Sequence, residues 1–198
     1  MNPKPLLILD LDETLIYSTP EMDGGAFDFR IPGYHVLKRP GLDAFLQLAA
    51  GHYQLAVWSA ATGDYVAEIV WALFPPEIPL AFVWGRERTP LRNIHDKETG
   101  ETQGFPNPVF VKRLKKVKKL GFSLDRTLIV DDKPAGLQEN FGNAIIIPEF
   151  RGEPDDYELR RLGIYLVKIK DTANFRKLEK RNWRMETGII PFPDSKPI

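Results

Sequence analysis

The sequence predicts an α/β fold: a Rossmann-like, mostly parallel sheet flanked by helices. Three observations carry this expectation. Short, continuous apolar runs recur along the 198 residues, as strands buried on both faces require. Amphipathic helical stripes lie between them. Two of the runs stop abruptly at paired acids, where strands of an open parallel sheet would present their carboxyl ends to a ligand.

The first run, Leu6-Leu7-Ile8-Leu9, ends at Asp10; further runs span 53–58, 81–84, 127–130 and 144–147. One helical stripe comprises Leu42, Phe45, Leu46 and Leu48-Ala49, opened by Pro40 and closed by Gly51. A second comprises Tyr65, Ile69, Trp71-Ala72 and Leu73, closed by Pro75-Pro76. A third comprises Phe110, Leu114, Val117 and Leu120, closed by Gly121. Two segments break the alternation. Residues 18–38 carry Gly24-Gly25, Pro32-Gly33 and Phe27, Phe29, Ile31 at period two, the pattern of a flap hairpin. Residues 85–108 are charged and turn-rich, with Gly100, Gly104, Pro106 and Pro108, the pattern of a small functional insertion (about 79–108) rather than a large cap domain. One domain is therefore expected over residues 1–185, followed by an irregular tail, 186–198.

Composition narrows the chemistry. With 43% hydrophobic and 27% charged residues the chain can build a globular core, and its 27 basic residues balance its 27 acidic ones. No global field favours nucleic acid, and no such partner is expected. The absence of cysteine excludes disulfides, thiolate catalysis and cysteine-built zinc sites. His35, His52 and His95 are too few and too scattered for a histidine-built centre. A metal would rest on carboxylates, which points to a hard cation such as Mg²⁺. The N-terminal apolar run is too short for a signal peptide or a membrane span, so a cytoplasmic protein without a membrane partner is expected.

The densest signal is Asp10-Leu11-Asp12-Glu13-Thr14 directly after a buried strand. Two aspartates so placed can divide a reaction: one attacks phosphorus and holds a cation, the other gives and takes a proton. The plainer alternative is a pair of solvated turn aspartates. Val130-Asp131-Asp132-Lys133-Pro134 repeats the pattern, and two acid-tipped strands in one sheet could assemble a carboxylate cluster for a divalent cation. Asp132 could equally cap a following helix. Ser59, at the end of the run 53–58, could donate to a phosphoryl oxygen or simply cap a helix. Most of the basic run Lys112, Arg113, Lys115, Lys116, Lys118, Lys119 reads as a solvated helix face. Lys112 differs, because the first turn of a helix is a poor place for a cation unless an anion faces it.

Taken in this order, the motifs resemble the haloacid dehalogenase superfamily of phosphotransferases, and within it the FCP/SCP branch, the NLI-interacting-factor-like phosphatases. The matching pieces are Leu9 to Leu15, Val36-Leu37-Lys38-Arg39-Pro40-Gly41, Val57-Trp58-Ser59-Ala60, Phe110-Val111-Lys112 and Leu128 to Pro134. The resemblance implies Asp10 as nucleophile, Asp12 as general acid/base, Ser59 and Lys112 as phosphoryl contacts, and Mg²⁺ held by Asp10, the Asp12 main-chain carbonyl and Asp132. Thr14 and Asp131 are supporting residues, Asp131 by orienting Lys112. It also implies a phosphoprotein or phosphopeptide substrate, with Arg86, Phe27 and Phe29 as candidate contacts. Phe27, Phe29, Ile31, Phe82 and Trp84 could line a groove for residues flanking the phosphate or belong to the core. A small-molecule phosphatase, a nucleic-acid-end phosphatase and a non-catalytic binding relative are the alternative functions.

Overall fold

In the computed structural model, residues 3–20, 26–93, 108–140 and 142–188 are described. The strands are β1 (Leu6–Leu9), β2 (Ile16–Thr19), β3 (Phe29–Ile31), β4 (Tyr34–Lys38), β5 (Gln54–Trp58), β6 (Leu80–Trp84), β7 (Leu91–Asn93), β8 (Pro108–Phe110), β9 (Thr127–Asp131) and β10 (Ala144–Ile146). The helices are α1 (Leu42–His52), α2 (Gly63–Leu73), α3 (Lys115–Lys118) and α4 (Glu158–Ile169). The main sheet has five parallel strands in the order β10-β9-β1-β5-β6. The α/β expectation thus holds, with β1 at the centre.

Alternation along the central strands shows why the apolar runs are continuous. Leu7 and Leu9 of β1, Leu55 and Val57 of β5, and Leu128 and Val130 of β9 share one apolar cluster. Leu6, Ile8, Ala56, Trp58 and Ile129 share the other, on the opposite face of the sheet. Both faces are covered, so neither set of alternate positions can be polar. The first cluster is closed by α1, α2 and α4 through Phe45, Leu46, Val66, Ile69, Leu162 and Leu166. The second is closed by Leu114, Val117 and Leu137. Truncating any of these leucines to alanine would cost about 2–5 kcal/mol.

The region expected as a flap forms a separate antiparallel sheet, β2-β4-β3. Its β3–β4 turn runs through Pro32-Gly33, where Gly33 has a φ of 82°. Gly24-Gly25 lies outside the described residues, as do residues 94–107 of the insertion and 189–198 of the tail. The chain up to Trp183 joins the core, because Trp183 is buried against Tyr165 and donates to the Ile146 carbonyl at 2.9 Å.

The third expected helix is corrected. Phe110 lies in β8, paired antiparallel with β7, and only Lys115–Lys118 is helical. Val111 N–H bonds to the Pro90 carbonyl and Lys112 N–H to the Gly136 carbonyl, both at 3.0 Å, so the backbone here is held extended by two other segments. Lys112 is therefore not in a first helical turn, and the helix-dipole argument for it falls away. Asp132 is followed by a 3-10 segment, Pro134–Asn140, rather than an α-helix. α4 is a fourth helix beyond the three expected; its buried Leu159, Leu162, Tyr165, Leu166 and Ile169 carry helical spacing. Among the described residues no helix is long and apolar enough to cross a membrane.

Candidate active site

Strand register brings the site together. Leu9 of β1 faces Val57 on one side and Val130 on the other. One residue further along, Asp10, Asp131 and the Trp58-Ser59 turn therefore emerge at the same carboxyl edge, and Asp10 N–H still bonds to the Val130 carbonyl at 3.1 Å. This is the edge at which an open α/β sheet receives ligands.

Lys112 comes to that edge from the extended segment after β8. Its ammonium donates to Asp10 Oδ1 at 2.5 Å and to Asp131 Oδ2 at 2.7 Å. All three residues are buried, with Lys112 only 4% exposed. Asp132 completes the group: one carboxylate oxygen each from Asp10, Asp131 and Asp132 lie within 4.8 Å of one another. The Thr14 hydroxyl stands between two of them, 3.1 Å from Asp132 Oδ1 and 3.4 Å from Asp10 Oδ2.

The electrostatics of this group are unbalanced. Burial is the main reason that the Asp10 carboxyl is pushed up to about 8; Lys112 opposes the shift, and the charges on Asp131 and Asp12 add to it. Burial also disfavours the Lys112 ammonium, but Asp10 and Asp131 outweigh it and hold its pKa above the ordinary lysine value. Asp132 is likewise raised, chiefly by burial, although Lys133 draws it down. Lys112 serves Asp10 and Asp131, and Lys133 stands 3.8 Å from Asp132, so the clustered carboxyls are only partly neutralised when ionised. A divalent cation would favour their ionised forms, and the donors are all hard oxygens. The residues present therefore fit the expected metal, with Asp131 joining Asp10 and Asp132 as a side-chain donor.

The loop after β1 is tightly wound. The N–H groups of Thr14, Leu15 and Ile16 all point at the Leu11 carbonyl, and Glu13 takes a φ of 56°. Glu13 is a non-glycine residue in the left-handed region, which costs roughly 1 kcal/mol or more and persists only where the surroundings enforce it. Fully buried Arg39 supplies part of that enforcement. Its guanidinium donates to the Thr14 carbonyl at 3.0 Å and pairs with both Asp156 oxygens at 2.9 and 2.7 Å.

Asp12 sits on the other side of the loop. Its Oδ1 accepts from the Ser18 hydroxyl of β2 at 3.1 Å and, through a short bond, from the Tyr65 hydroxyl of α2. Burial raises the Asp12 pKa, and these two hydroxyls work against the rise. Tyr65 is not among the expected site residues, because a tyrosine in an apolar helical stripe carries the same signal as a core residue.

Ser59 is buried, and its oxygen accepts from Ala61 N–H at 3.0 Å. Arg86 lies close by. Its Nε donates to the Ala60 carbonyl at 2.9 Å, and its guanidinium stands 5.1 Å from the Phe110 ring, two residues before Lys112. The flap phenylalanines separate. Phe29 packs against the main core with Ile31, whereas Phe27 is 39% exposed, edge-on to His35 and covered by Arg30. Phe82 stacks on Trp84 at the sheet edge.

A parallel sheet with acids at the ends of two adjacent strands, bridged by a buried lysine, is the haloacid dehalogenase type of α/β fold. Within that superfamily the chain belongs to the NLI interacting factor-like phosphatase family, whose model matches residues 5–176. It is 30% identical over 190 residues to the mitochondrial import inner membrane translocase subunit TIM50 of Phytophthora infestans, covering 94% of this chain and 39% of that one. It is 30% identical over 169 residues to the human carboxy-terminal domain RNA polymerase II polypeptide A small phosphatase 1, covering 81% of this chain and 58% of that one. The chain thus spans less than two thirds of these relatives. The solved structure of Fcp1, an RNA polymerase II CTD phosphatase, matches with a TM-score of 0.53 at 20% identity, covering 74% of this chain and 42% of that one. That likeness is one of fold.

Proposed function

We propose that the protein is a Mg²⁺-dependent phosphomonoesterase working through an aspartyl-phosphate on Asp10, with phosphoserine or phosphothreonine in a protein or peptide as substrate. The observation that carries this reading is the buried Lys112 bridge between Asp10 and Asp131, with Asp12 held by hydroxyls nearby. Asp10 is the nucleophile: one of its oxygens bonds to phosphorus as the bond to the leaving oxygen breaks. Asp12 delivers a proton to that leaving oxygen, then takes one from the water that hydrolyses the acyl phosphate. Lys112 neutralises charge on the transferring group, and the Ser59 hydroxyl, its oxygen already engaged by Ala61 N–H, turns its hydrogen to a phosphoryl oxygen. Asp131 keeps Lys112 aimed, and Thr14 ties Asp10 to Asp132. Mg²⁺, held by Asp10, Asp132, the Asp12 carbonyl and in part Asp131, would supply further charge neutralisation and order the acids.

Arg86, beside the Ser59 loop and Phe110, is positioned to meet a residue flanking the phosphate, and exposed Phe27 offers an apolar contact. The names of relatives such as the human small phosphatase support a phosphoprotein substrate. The translocase relative supports a second reading, a binding module with no turnover. The decisive experiment measures hydrolysis of an aryl phosphate and a phosphopeptide panel with and without Mg²⁺. Metal-dependent turnover abolished by Asp10→Asn supports the enzyme; full activity in that variant removes the nucleophile assignment.

A further inference from the structure

The proposed mechanism leaves unexplained why two hydroxyls meet at the part-buried Asp12 carboxylate. Tyr65 and Ser18 come from different elements, α2 and β2, and 53 residues separate Tyr65 from Asp12. Yet both hydroxyls converge on the same carboxylate oxygen, Asp12 Oδ1, and they stand 2.6 Å from each other. Tyr65 has a single hydrogen, and it goes to Asp12; the Ser18 hydrogen goes to Asp12 or to the Tyr65 oxygen. The two hydroxyls and Oδ1 form a closed triangle. The Tyr65 ring is itself braced from the flap, with Tyr34 of β4 edge-on at 5.3 Å.

We infer that Tyr65, with Ser18, is a positioning residue that fixes which oxygen of Asp12 faces the leaving group. The inference rests on the proposed role of Asp12 as general acid/base. The carboxylate torsion of an aspartate is soft and nearly two-fold, so a free Asp12 would present either oxygen at varying angles. With Oδ1 held by Tyr65 and by the Ser18 hydroxyl that contacts both, Oδ2 is the oxygen that neither hydroxyl engages. Oδ2 carries the proton, which moves to the departing alkoxide oxygen as its bond to phosphorus breaks and the Asp10 oxygen–phosphorus bond forms. The same oxygen then receives a proton from the attacking water. Proton transfer is effective only from a group held within hydrogen-bond reach, and in kcat/KM, which ends at formation of the aspartyl-phosphate, such fixing shows only where the leaving oxygen needs a proton.

The test is dependence on the leaving group, read in kcat/KM with Mg²⁺ saturating. Tyr65→Phe removes one oxygen and keeps the ring. It is expected to lower kcat/KM on a phosphoserine peptide about 10- to 100-fold, within the span of a lost acid–base contribution. On 2,4-dinitrophenyl phosphate, whose leaving group needs no proton, the loss is expected to stay under about 3-fold. Ser18→Ala is expected to show the same selectivity at smaller size, and the double variant to approach Asp12→Asn on the peptide without passing it. Equal losses on both substrates, or no loss in either single variant and in the double, overturn the inference. Asp12→Asn serves as reference. If it lacks leaving-group dependence, the reading of Asp12 itself fails; if it shows the dependence and Tyr65→Phe and Ser18→Ala do not, only the positioning role fails.

Discussion

The Lys112 ammonium lies 2.5 Å from Asp10 Oδ1 although 102 residues separate the two. The same ammonium reaches Asp131 on the neighbouring strand, so one buried cation ties together the acids at the ends of β1 and β9. Removing one partner of such a group leaves the others charged and dry. Lys112→Ala is expected to lose most activity on every phosphate ester and to destabilise the metal-free fold by about 3–5 kcal/mol. Lys112→Arg should not restore activity, since a planar fork cannot replace a point charge at two converging oxygens. Steady-state rates and urea melts in EDTA check both statements; wild-type stability in Lys112→Ala would contradict the pairing.

Metal and pH act on the same carboxylates. The folded-state pKa values of Asp10, Asp12 and Asp132 all stand above the ordinary carboxylate value, Asp10 at about 8. The folded protein then holds protons that the unfolded chain has released. This contribution is present below the unfolded pKa and is lost as pH rises through the folded one. In EDTA the melting temperature should therefore fall between roughly pH 5 and 8, by on the order of 5 °C. Saturating Mg²⁺ should flatten the fall by favouring the ionised acids, and Asp132→Asn should weaken that rescue. A metal-free melting temperature that rises over this range would contradict the raised values.

Arg39 supports the loop after β1 from behind. It is fully buried and joins the Thr14 carbonyl to Asp156, across 117 residues of chain. Arg39→Met is expected to cost about 1–3 kcal/mol, because the part-buried Asp156 carboxylate and the Thr14 carbonyl lose their donor. Activity should drop as well, because the loop that carries Asp10, Asp12 and Thr14 loses an anchor. Neutralising Asp156 in the same chain, as Asp156→Asn, should recover part of the stability and none of the rate. Denaturant melts of the two single variants and the double variant form the cycle that reads this coupling.

The sheet and its acid-tipped strands were legible because burial on both faces leaves a short continuous apolar run, and in β1 and β9 that run stops at paired acids. Parallel register then does the rest: once Leu9 faces Val130, Asp10 and Asp131 must be neighbours. The environment of Lys112 was less legible. Apolar residues at 110, 114, 117 and 120 have helical spacing, but hydrogen bonds from Val111 and Lys112 N–H to the Pro90 and Gly136 carbonyls claim the backbone first and hold it extended. Tyr65 and Arg39 were visible only as a stripe residue and as part of a motif. Their partners, Asp12 and Asp156, lie 53 and 117 positions away, and no local pattern encodes a hydrogen bond across that distance.

Gly136 shows how backbone proximity sets the reach of Lys112. Its carbonyl accepts from Lys112 N–H at 3.0 Å, and a Cβ added there would stand 2.9 Å from the Phe110 carbonyl oxygen. That neighbour is backbone and cannot rotate aside, so Gly136→Ala must push the segment 110–112 away from the segment Pro134–Asn140. The expected stability cost is modest, about 1–3 kcal/mol for a small overpacking. The functional cost should be larger in proportion, since a shift near 1 Å in a charge-neutralising group lowers the rate about 100-fold. The loss should fall on aryl and alkyl phosphates alike, because in the proposed mechanism Lys112 acts on the phosphoryl group and not on the leaving oxygen. That pattern separates Gly136→Ala from Tyr65→Phe in the same pair of assays. A Gly136→Ala protein with unchanged kcat/KM on both substrates would mean that Lys112 tolerates the displacement, and that the close approach of the two backbones serves packing alone.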